Sequence, residues 1–193
     1  TGSDVVIGGR YGDTIHAGGG SNLVIGDSGK ITAAVSNAVE QLAGIPMTLG
    51  LVETIEPEDG GSDTITTLSG NDIVFGGQAG DFITAGANDD MVLGDNGFLN
   101  WDTGDDDPTT RDLIQTTYTQ TGGVDEIYGN AGDDLILGGK DGDLIYGNEN
   151  DDVVFGDFAR IILQSGIVRE MTVIDNEEGG ADIIYGNEDE DIL

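Results

Sequence analysis

The sequence predicts an all-β fold, a parallel β-solenoid carrying inserted β-hairpins, and three observations predict it. A nine-residue phrase anchored on an aspartate recurs thirteen times. An Ile, Val or Leu follows every anchor at the same distance. Three interruptions open and close on the same residues and hold β-like runs, so they read as additions to a coil and not as breaks in it.

The anchors are Asp4, Asp13 and Asn22, then Asp63, Asp72, Asp81 and Asp90, then Asp125, Asp134, Asp143 and Asp152, and last Asp182 and Asp191. Within each group the step is nine. Two residues after the anchors stand Val6, Ile15, Val24, Ile65, Val74, Ile83, Val92, Ile127, Ile136, Ile145, Val154, Ile184 and Leu193. Three residues around a β-branched side chain make a minimal strand, with that side chain pointing inward. The other six are glycine-rich and suit a turn that needs positive φ and close backbone approach. Two nonapeptides therefore make one coil of strand, turn, strand and turn. Stacked coils pair their strands in parallel about 4.8 Å apart.

Stacking lines the anchors of alternate repeats along one edge. One such edge carries Asp4, Asn22, Asp72, Asp90, Asp134, Asp152 and Asp191. Carboxylates at that spacing repel by about 0.9 kcal/mol per pair in water and ~3.5 kcal/mol at an effective dielectric of 20. The neighbouring Asp pairs of this edge cost roughly 4 to 14 kcal/mol, comparable to the whole stability of a domain. The edge calls for a counter-ion. Carboxylates with carbonyl oxygens from glycine-rich turns form a hard, all-oxygen cage that suits Ca²⁺, whereas Mg²⁺ demands a tighter octahedron. Zinc would want His or Cys, and the chain has one His and no Cys. About ten Ca²⁺ ions, each taking 6–8 oxygens, are expected between the coils.

"GGRYGDTIH", "GGQAGDFIT" and "GGKDGDLIY" resemble the G-G-x-G-x-D-x-U-x nonapeptide of RTX (repeats-in-toxin) proteins. The resemblance covers all thirteen repeats, well over half the chain. It implies a right-handed parallel β-roll with Ca²⁺ in the turns. It also implies secretion, usually by a type I system, of a chain that folds on meeting external calcium. The family includes toxins, proteases, lipases, adhesins and surface-layer proteins, so it fixes a module and not an activity. Tyr11, Ala79, Asn88, Asp141, Asn150 and Asp189 replace the Gly expected two residues before the anchor, and Asn22 replaces an anchor Asp. Those sites are expected to bind more weakly or with altered geometry.

Composition agrees with a cation-binding repeat. Gly supplies 34 of 193 residues, against a usual share of about 7%. Lys and Arg total 6 and Asp and Glu 38, for a net charge of −32. Nucleic acid and anionic membranes are poor partners for such a chain, and no apolar run approaches a membrane span. Without Cys there is no disulfide and no thiolate site. The repeats are met and left mid-phrase, which predicts a piece of a longer protein. One continuous solenoid is expected, with roll blocks 1–27, 60–95, 122–157 and 179–193 and insertions 28–59, 96–121 and 158–178.

The insertions keep the rhythm. They open at Gly26, Gly94 and Gly156, spaced 68 and 62 apart, and close on "GGSD", "GGVD" and "GGAD". Asp27, Asp95 and Asp157, at the openings, are candidate substitute ligands where an insertion breaks the edge. "MTLGLVETI" and "DLIQTTYT" are β-like runs, and "ARIILQ" with "IVREMTVID" around Ser-Gly is a hairpin. Outward positions alternate between two sets of repeats. Val5/Ile7, Leu23/Ile25, Ile73/Phe75, Met91/Leu93, Leu135/Leu137 and Val153/Phe155 are wholly apolar. The set from Thr14/His16 to Ile183/Tyr185 is mixed. An apolar sheet of this size needs a cover. A hairpin is as wide as the two coils of one block, so successive hairpins would pair edge to edge into a third sheet about 10 Å above that face. Ile31, Val52, Ile55, Leu113, Ile114, Ile161, Leu163, Val168, Met171 and Val173 would supply its apolar positions. The rival is a face covered by another chain. Exposure of Phe75, Leu93, Leu137 and Phe155 decides between them.

Other features read as ordinary surface. His16 is an outward residue, and no H-E-x-x-H, G-x-S-x-G or EF-hand pattern occurs, so no catalytic role is expected. Trp101 and "DTGDDDPTT" read as an exposed loop tip. Asp105, Asp106 and Asp107 read as solvated charge sooner than a cation site. Tyr128, Tyr146 and Tyr185 form a row that reads as sheet packing sooner than a glycan site. A Thr ladder at Thr14, Thr64, Thr66 and Thr84 suggests an ice- or surface-binding face, but Phe82, Glu126 and Tyr128 spoil it. The leading expectation is a calcium-binding structural or adhesive module of a large extracellular bacterial surface or matrix protein, packing with its own copies into a fibre or layer. The alternative is the secretion and folding region of an exported enzyme or toxin.

Overall fold

A computed structural model describes residues 2–34, 41–42, 44–105, 107–174 and 178–193. Among them there is no helix. The chain starts with β1 (Val5–Ile7), β2 (Thr14–Gly19) and β3 (Leu23–Ile25), then leaves the coil for β4 (Gly29–Ala33), the two-residue strands β5 (Gln41–Leu42) and β6 (Ile45–Pro46), and β7 (Leu49–Thr54). The second block runs through β8 (Thr64–Ser69), β9 (Ile73–Phe75), β10 (Phe82–Ala87) and β11 (Met91–Leu93) to a hairpin of β12 (Gly97–Asn100) and β13 (Leu113–Thr116). The third has β14 (Glu126–Ala131), β15 (Leu135–Leu137), β16 (Leu144–Glu149) and β17 (Val153–Phe155), then β18 (Ala159–Gln164) and β19 (Ile167–Val173). The last strand is β20 (Ile183–Asn187).

Two six-stranded parallel sheets form the roll, in the orders β1-β3-β9-β11-β15-β17 and β2-β8-β10-β14-β16-β20. Pairing crosses every insertion. Val24 lies opposite Val74 across the first, Val92 opposite Ile136 across the second, and Ile145 opposite Ile184 across the third. The two sheets close on one inner row, Ile15, Val24, Ile65, Val74, Ile83, Val92, Ile127, Ile136, Ile145 and Val154, with Val6 and Ile184 half-buried at its ends. This is the row expected two residues after each anchor, except that Leu193 is 63% exposed. The backbone of the phrase survives its substitutions. Tyr11, Ala79, Asn88, Asp141, Asn150 and Asp189 all take positive φ, between 67° and 82°, the conformation a glycine would adopt at lower cost.

The hairpins pair edge to edge into a third six-stranded sheet, antiparallel throughout, in the order β4-β7-β12-β13-β18-β19. It covers the apolar face. Phe75, Leu93 and Leu137 are fully buried and Phe155 is half-buried, packed with Val52, Leu99, Ile114, Ala159 and Ile161. The first two hairpins lie on the strands they have just left: Gly29 packs on Ile25 and Gly97 on Leu93 so closely that neither has room for a Cβ. The third sheet is thereby offset from the roll by one strand. At one end Ile7 of β1 stays 44% exposed, and at the other every residue of β19 is exposed. Val168, Met171 and Val173 thus lie outside the packed core, as do Ile55 and Leu113, while Ile31, Val52, Ile114, Ile161 and Leu163 join it.

Two expectations need correction. Trp101 is not at an exposed tip. Its N–H bonds to the Gly50 carbonyl at 2.9 Å, extending the third sheet by one position, and its ring is 7% exposed in the core below. The first two insertions hold two strands of the third sheet each, where the sequence showed one β-like run. The missed strands, "GKITA" and "GFLN", start on glycine and are too short to show a period. Asp106 lies outside the described residues. Asp105 and Asp107 are on the loop that follows Trp101, where Asp105 accepts hydrogen bonds from the N–H and hydroxyl of Ser165.

Candidate metal centre

The anchors form two ladders, one along each edge of the roll. On the first edge the N–H of Asp4, Asn22, Asp72, Asp90, Asp134 and Asp152 each donates to Oδ1 of the next coil's anchor, at 2.6–3.0 Å. The second edge repeats this from Asp13 through Asp63, Asp81, Asp125 and Asp143 to Asp182, at 2.7–2.9 Å. The local cause is the period: the anchor follows the turn and precedes the strand, so its amide faces along the roll axis. One side-chain oxygen of every anchor after Asp4 and Asp13 is thus spent on holding coils in register.

The other oxygen has no such duty. Oδ2 of Asp13, Asp63, Asp72, Asp81, Asp90, Asp125, Asp134, Asp143 and Asp152 is buried with no hydrogen-bond partner. A lone buried carboxylate oxygen is costly. For all of these but Asp72 and Asp90, what faces it is glycine. Gly8 lies against Asp13, Gly26 against Asp63, Gly76 against Asp81, Gly94 against Asp125, Gly138 against Asp143 and Gly156 against Asp182; a Cβ on any of them would collide with that Oδ2. The carbonyl of the next coil's glycine closes the space, 2.6 Å from a Cβ built on Gly26 (Gly76 O) and 2.7 Å from one on Gly94 (Gly138 O). On the first edge Gly129, Gly147 and Gly186 face Asp134, Asp152 and Asp191 in the same way. Each cradle offers one carboxylate oxygen and backbone carbonyls, a donor set that fits a hard cation such as Ca²⁺. Among the described residues no three acidic or His side chains converge on one point. The cradle draws its oxygens from backbone instead.

Burial dominates the electrostatics. It pushes Asp152 up to about 6, Asp63 and Asp134 to about 7, Asp90 to about 8, Asp143 to about 9 and Asp81 to about 10. Asp72, Asp125 and Asp182 are raised for the same reason. The backbone donors pull the other way and the neighbouring anchors add to the rise, but burial outweighs both. Left alone, these nine carboxyls hold their protons to higher pH than a free carboxyl; a cation in the cradle would restore the charged form.

Asp27, Asp95 and Asp157 sit where the insertions leave and return. Asp27 accepts the N–H of Gly61 at 3.0 Å and of Gln78 at 2.5 Å; Asp95 accepts those of Gly123, at 2.9 Å, and Lys140; Asp157 accepts that of Gly180 at 2.9 Å. Gly60, Gly122 and Gly179 lie on these carboxylates with no room for a Cβ. The double glycine that closes each insertion is thus read by the aspartate that opened it. These carboxylates also raise Asp63, Asp125 and Asp182 by their charge, which places them beside the second edge.

One buried carboxylate escaped the sequence reading. Asp112, 2% exposed, binds the N–H of Thr103 and Gly104 through Oδ2 and leaves Oδ1 without a partner; it lies in an insertion, outside any repeat. The Tyr row stacks as expected for sheet packing. Ring centroids of Tyr128, Tyr146 and Tyr185 are 4.8 and 4.9 Å apart and nearly parallel, so their faces are used on one another.

The family whose model matches is described as an RTX calcium-binding nonapeptide repeat, in four copies over residues 1–30, 68–98, 128–158 and 178–193, more than half of the chain. Most of the third sheet lies outside the matched residues. No curated protein and no solved structure gives a significant match to the chain.

Proposed function

The chain belongs to the RTX calcium-binding nonapeptide repeat family, whose repeats bind several Ca²⁺ ions and form a structural, not a catalytic, module; from that premise we propose that it is a structural and adhesive section of a large extracellular bacterial surface or matrix protein, folded and stiffened by calcium. The observation that carries this reading is the row of buried, partnerless Oδ2 atoms facing glycine carbonyls in successive coils.

We assign the ions to the cradles of Asp13, Asp63, Asp81, Asp125, Asp143 and Asp182 on the second edge and of Asp134, Asp152 and Asp191 on the first. Bound calcium supplies positive charge and accepts six to eight oxygens. The residues do the rest. Oδ1 of each anchor after Asp13 fixes the coil register, Oδ2 aims into the cradle, and the glycine leaves space for it. Asp27, Asp95 and Asp157 clamp the returning chain and bring a further carboxylate to the second edge where an insertion interrupts the repeats. The third sheet supports a load-bearing role, because a roll serving only to carry an enzyme out of the cell has no need of a hairpin for every two coils. Lateral association with copies of the chain belongs to the same reading.

The test combines stoichiometry with mechanics. Equilibrium dialysis of the full chain against calcium should return several ions per molecule. Single-molecule pulling should show unfolding forces that fall when a chelator replaces calcium. A chain that binds no calcium, or one whose unfolding force ignores the chelator, sinks the proposal.

A further inference from the structure

The two edges of the roll are not equivalent. Five residues before the anchor, the second edge has glycine wherever the repeat is uninterrupted, and Gly26, Gly94 and Gly156 take that place across the insertions. On the first edge the corresponding residues are Ala17, Thr67 and Ala85, and only then Gly129, Gly147 and Gly186. Strand register puts Thr84 opposite Tyr128 and Tyr128 opposite Tyr146, so Ala85 stands level with Gly129 and Gly147.

In this half the chain fills the cradle itself. The Thr67 hydroxyl donates to the carbonyl of Ala85, the next coil's counterpart of the carbonyl that closes an open cradle. The Thr67 side chain thereby stands beside the Asp72 carboxyl, whose Oδ2 accepts no hydrogen bond. These are the two groups, an anchor carboxyl and a carbonyl of the next coil, that a Cβ on Gly129 would meet as Asp134 Oδ2 and Gly147 O. One coil back the anchor is Asn22. Its Nδ2 donates to Asp72 Oδ1 at 2.9 Å and to the Gly18 carbonyl at 3.3 Å, while its Oδ1 accepts the Asp4 N–H at 3.0 Å. One coil on, the Ala85 methyl is fully buried in the inner core, in the place where Gly129 and Gly147 leave room.

We infer that the first edge is divided: its coils from Asn22 through Asp72 to Asp90 hold no calcium, because the Thr67 and Ala85 side chains fill the ion's place there and the Asn22 amide donates to Asp72. The inference rests on the calcium reading of the open cradles and narrows it, because it withdraws Asn22, Asp72 and Asp90 from the expected ligands. Physically, a side chain in the cradle excludes the cation by its volume, and the Asn22 amide meets the Asp72 carboxyl as a neutral donor. The same edge is thus pinned by the chain at one end and by calcium at the other.

Crystals of the full chain grown with calcium, measured for anomalous scattering, test both levels separately. Ion peaks along the second edge and at Asp134 and Asp152, with none within coordinating distance of Asp72 or Asp90, are the expected result. A peak beside Asp72 Oδ2 overturns the division and leaves the calcium reading intact. Absence of peaks on both edges overturns the calcium reading and the division with it. Thr67→Gly gives a second measurement in solution. Removing the hydroxyl should open a cradle and add one calcium per molecule in equilibrium dialysis; an unchanged stoichiometry counts against Thr67 as the occupant.

Discussion

Removing calcium at neutral pH should unfold the roll, and the ladders set the size of the effect. The second edge stacks six aspartates, Asp13, Asp63, Asp81, Asp125, Asp143 and Asp182, in five neighbouring pairs. At a strand spacing of about 4.8 Å, each ionised pair costs about 0.9 kcal/mol at the dielectric of water and ~3.5 at an effective value of 20. Five pairs cost roughly 4 to 17 kcal/mol, against a typical domain stability of about 5–15 kcal/mol. A chelated chain escapes only by taking up protons. Its buried anchors have folded-state pKa values raised above the ordinary carboxylate value of about 4, so their contribution is fully present below that value and is lost as pH rises through the folded values. Loss should begin above about 4 and be complete for Asp152 at about 6, for Asp63 and Asp134 at about 7, for Asp90 at about 8 and for Asp143 at about 9. Far-UV circular dichroism of the full chain checks this in two arms. In chelator the β signal should be kept in acid and lost on the alkaline side of neutrality; in calcium it should survive there. A full β signal in chelator at pH 9 would refute the electrostatic reasoning, because burial and repulsion would then both be too weak to matter.

Three further outcomes are expected. Gly94→Ala puts a methyl between Asp125 Oδ2 and the Gly138 carbonyl, so equilibrium dialysis should show one calcium fewer than the parent chain; an unchanged count would remove the cradle from the argument. Phe75→Ala, at a fully buried position under the third sheet, should cost about 3–5 kcal/mol in urea unfolding with calcium present, and a cost near zero would mean that the sheet does not pack there. Ala79 has φ 69°, so Ala79→Gly should relieve about 1–2 kcal/mol of left-handed strain and return about 0.4–1 kcal/mol through the freer unfolded chain; a small rise in thermal midpoint is expected, and a fall would show that the alanine methyl makes contacts worth more than the strain.

Much of this was legible because a solenoid writes its geometry into its period. Val24, Val74, Val92 and Ile136 could be placed in one row from spacing alone, and the apolar pairs such as Leu135 and Leu137 marked the face that needed a cover. Phe75 and Leu93 under the hairpins follow from the same alternation. Trp101 did not, because its surroundings read as loop while a single backbone bond to Gly50 carries it into the sheet. The cradle residues were visible as letters but not as a site. Nothing in the spelling of Thr67 or Ala85 distinguishes a spoiled glycine from a plug. Only the closeness of Gly129 to Asp134 Oδ2 shows what a side chain there displaces. The clamps at Asp27 and Asp95 were noticed as carboxylates, whereas their backbone donors, Gly61, Gln78, Gly123 and Lys140, lie far away in sequence and needed the fold to be found.

The block of four nonapeptides is fixed by strand counting. Four nonapeptides add two strands to each sheet of the roll, and a hairpin adds two strands to the sheet above, so roll and cover advance at the same rate only at this ratio. Insertion length is free: the first insertion spends its excess on β5 and β6, the second on the loop after Trp101, and both still deliver two strands. Because the first two hairpins start on the strands they have just left, as Gly97 does on Leu93, the second strand of each covers the first apolar strand of the next block. β13 therefore lies above β15, which belongs to the coil after the insertion, and β9 is covered by β7 from the block before. A block cut out alone would leave one apolar roll strand bare and one cover strand with nothing beneath it. Burial of this face is a property of neighbouring blocks taken together, which is why its residues stay apolar in every repeat while those of the opposite face, from Thr14 to Tyr185, are free to vary.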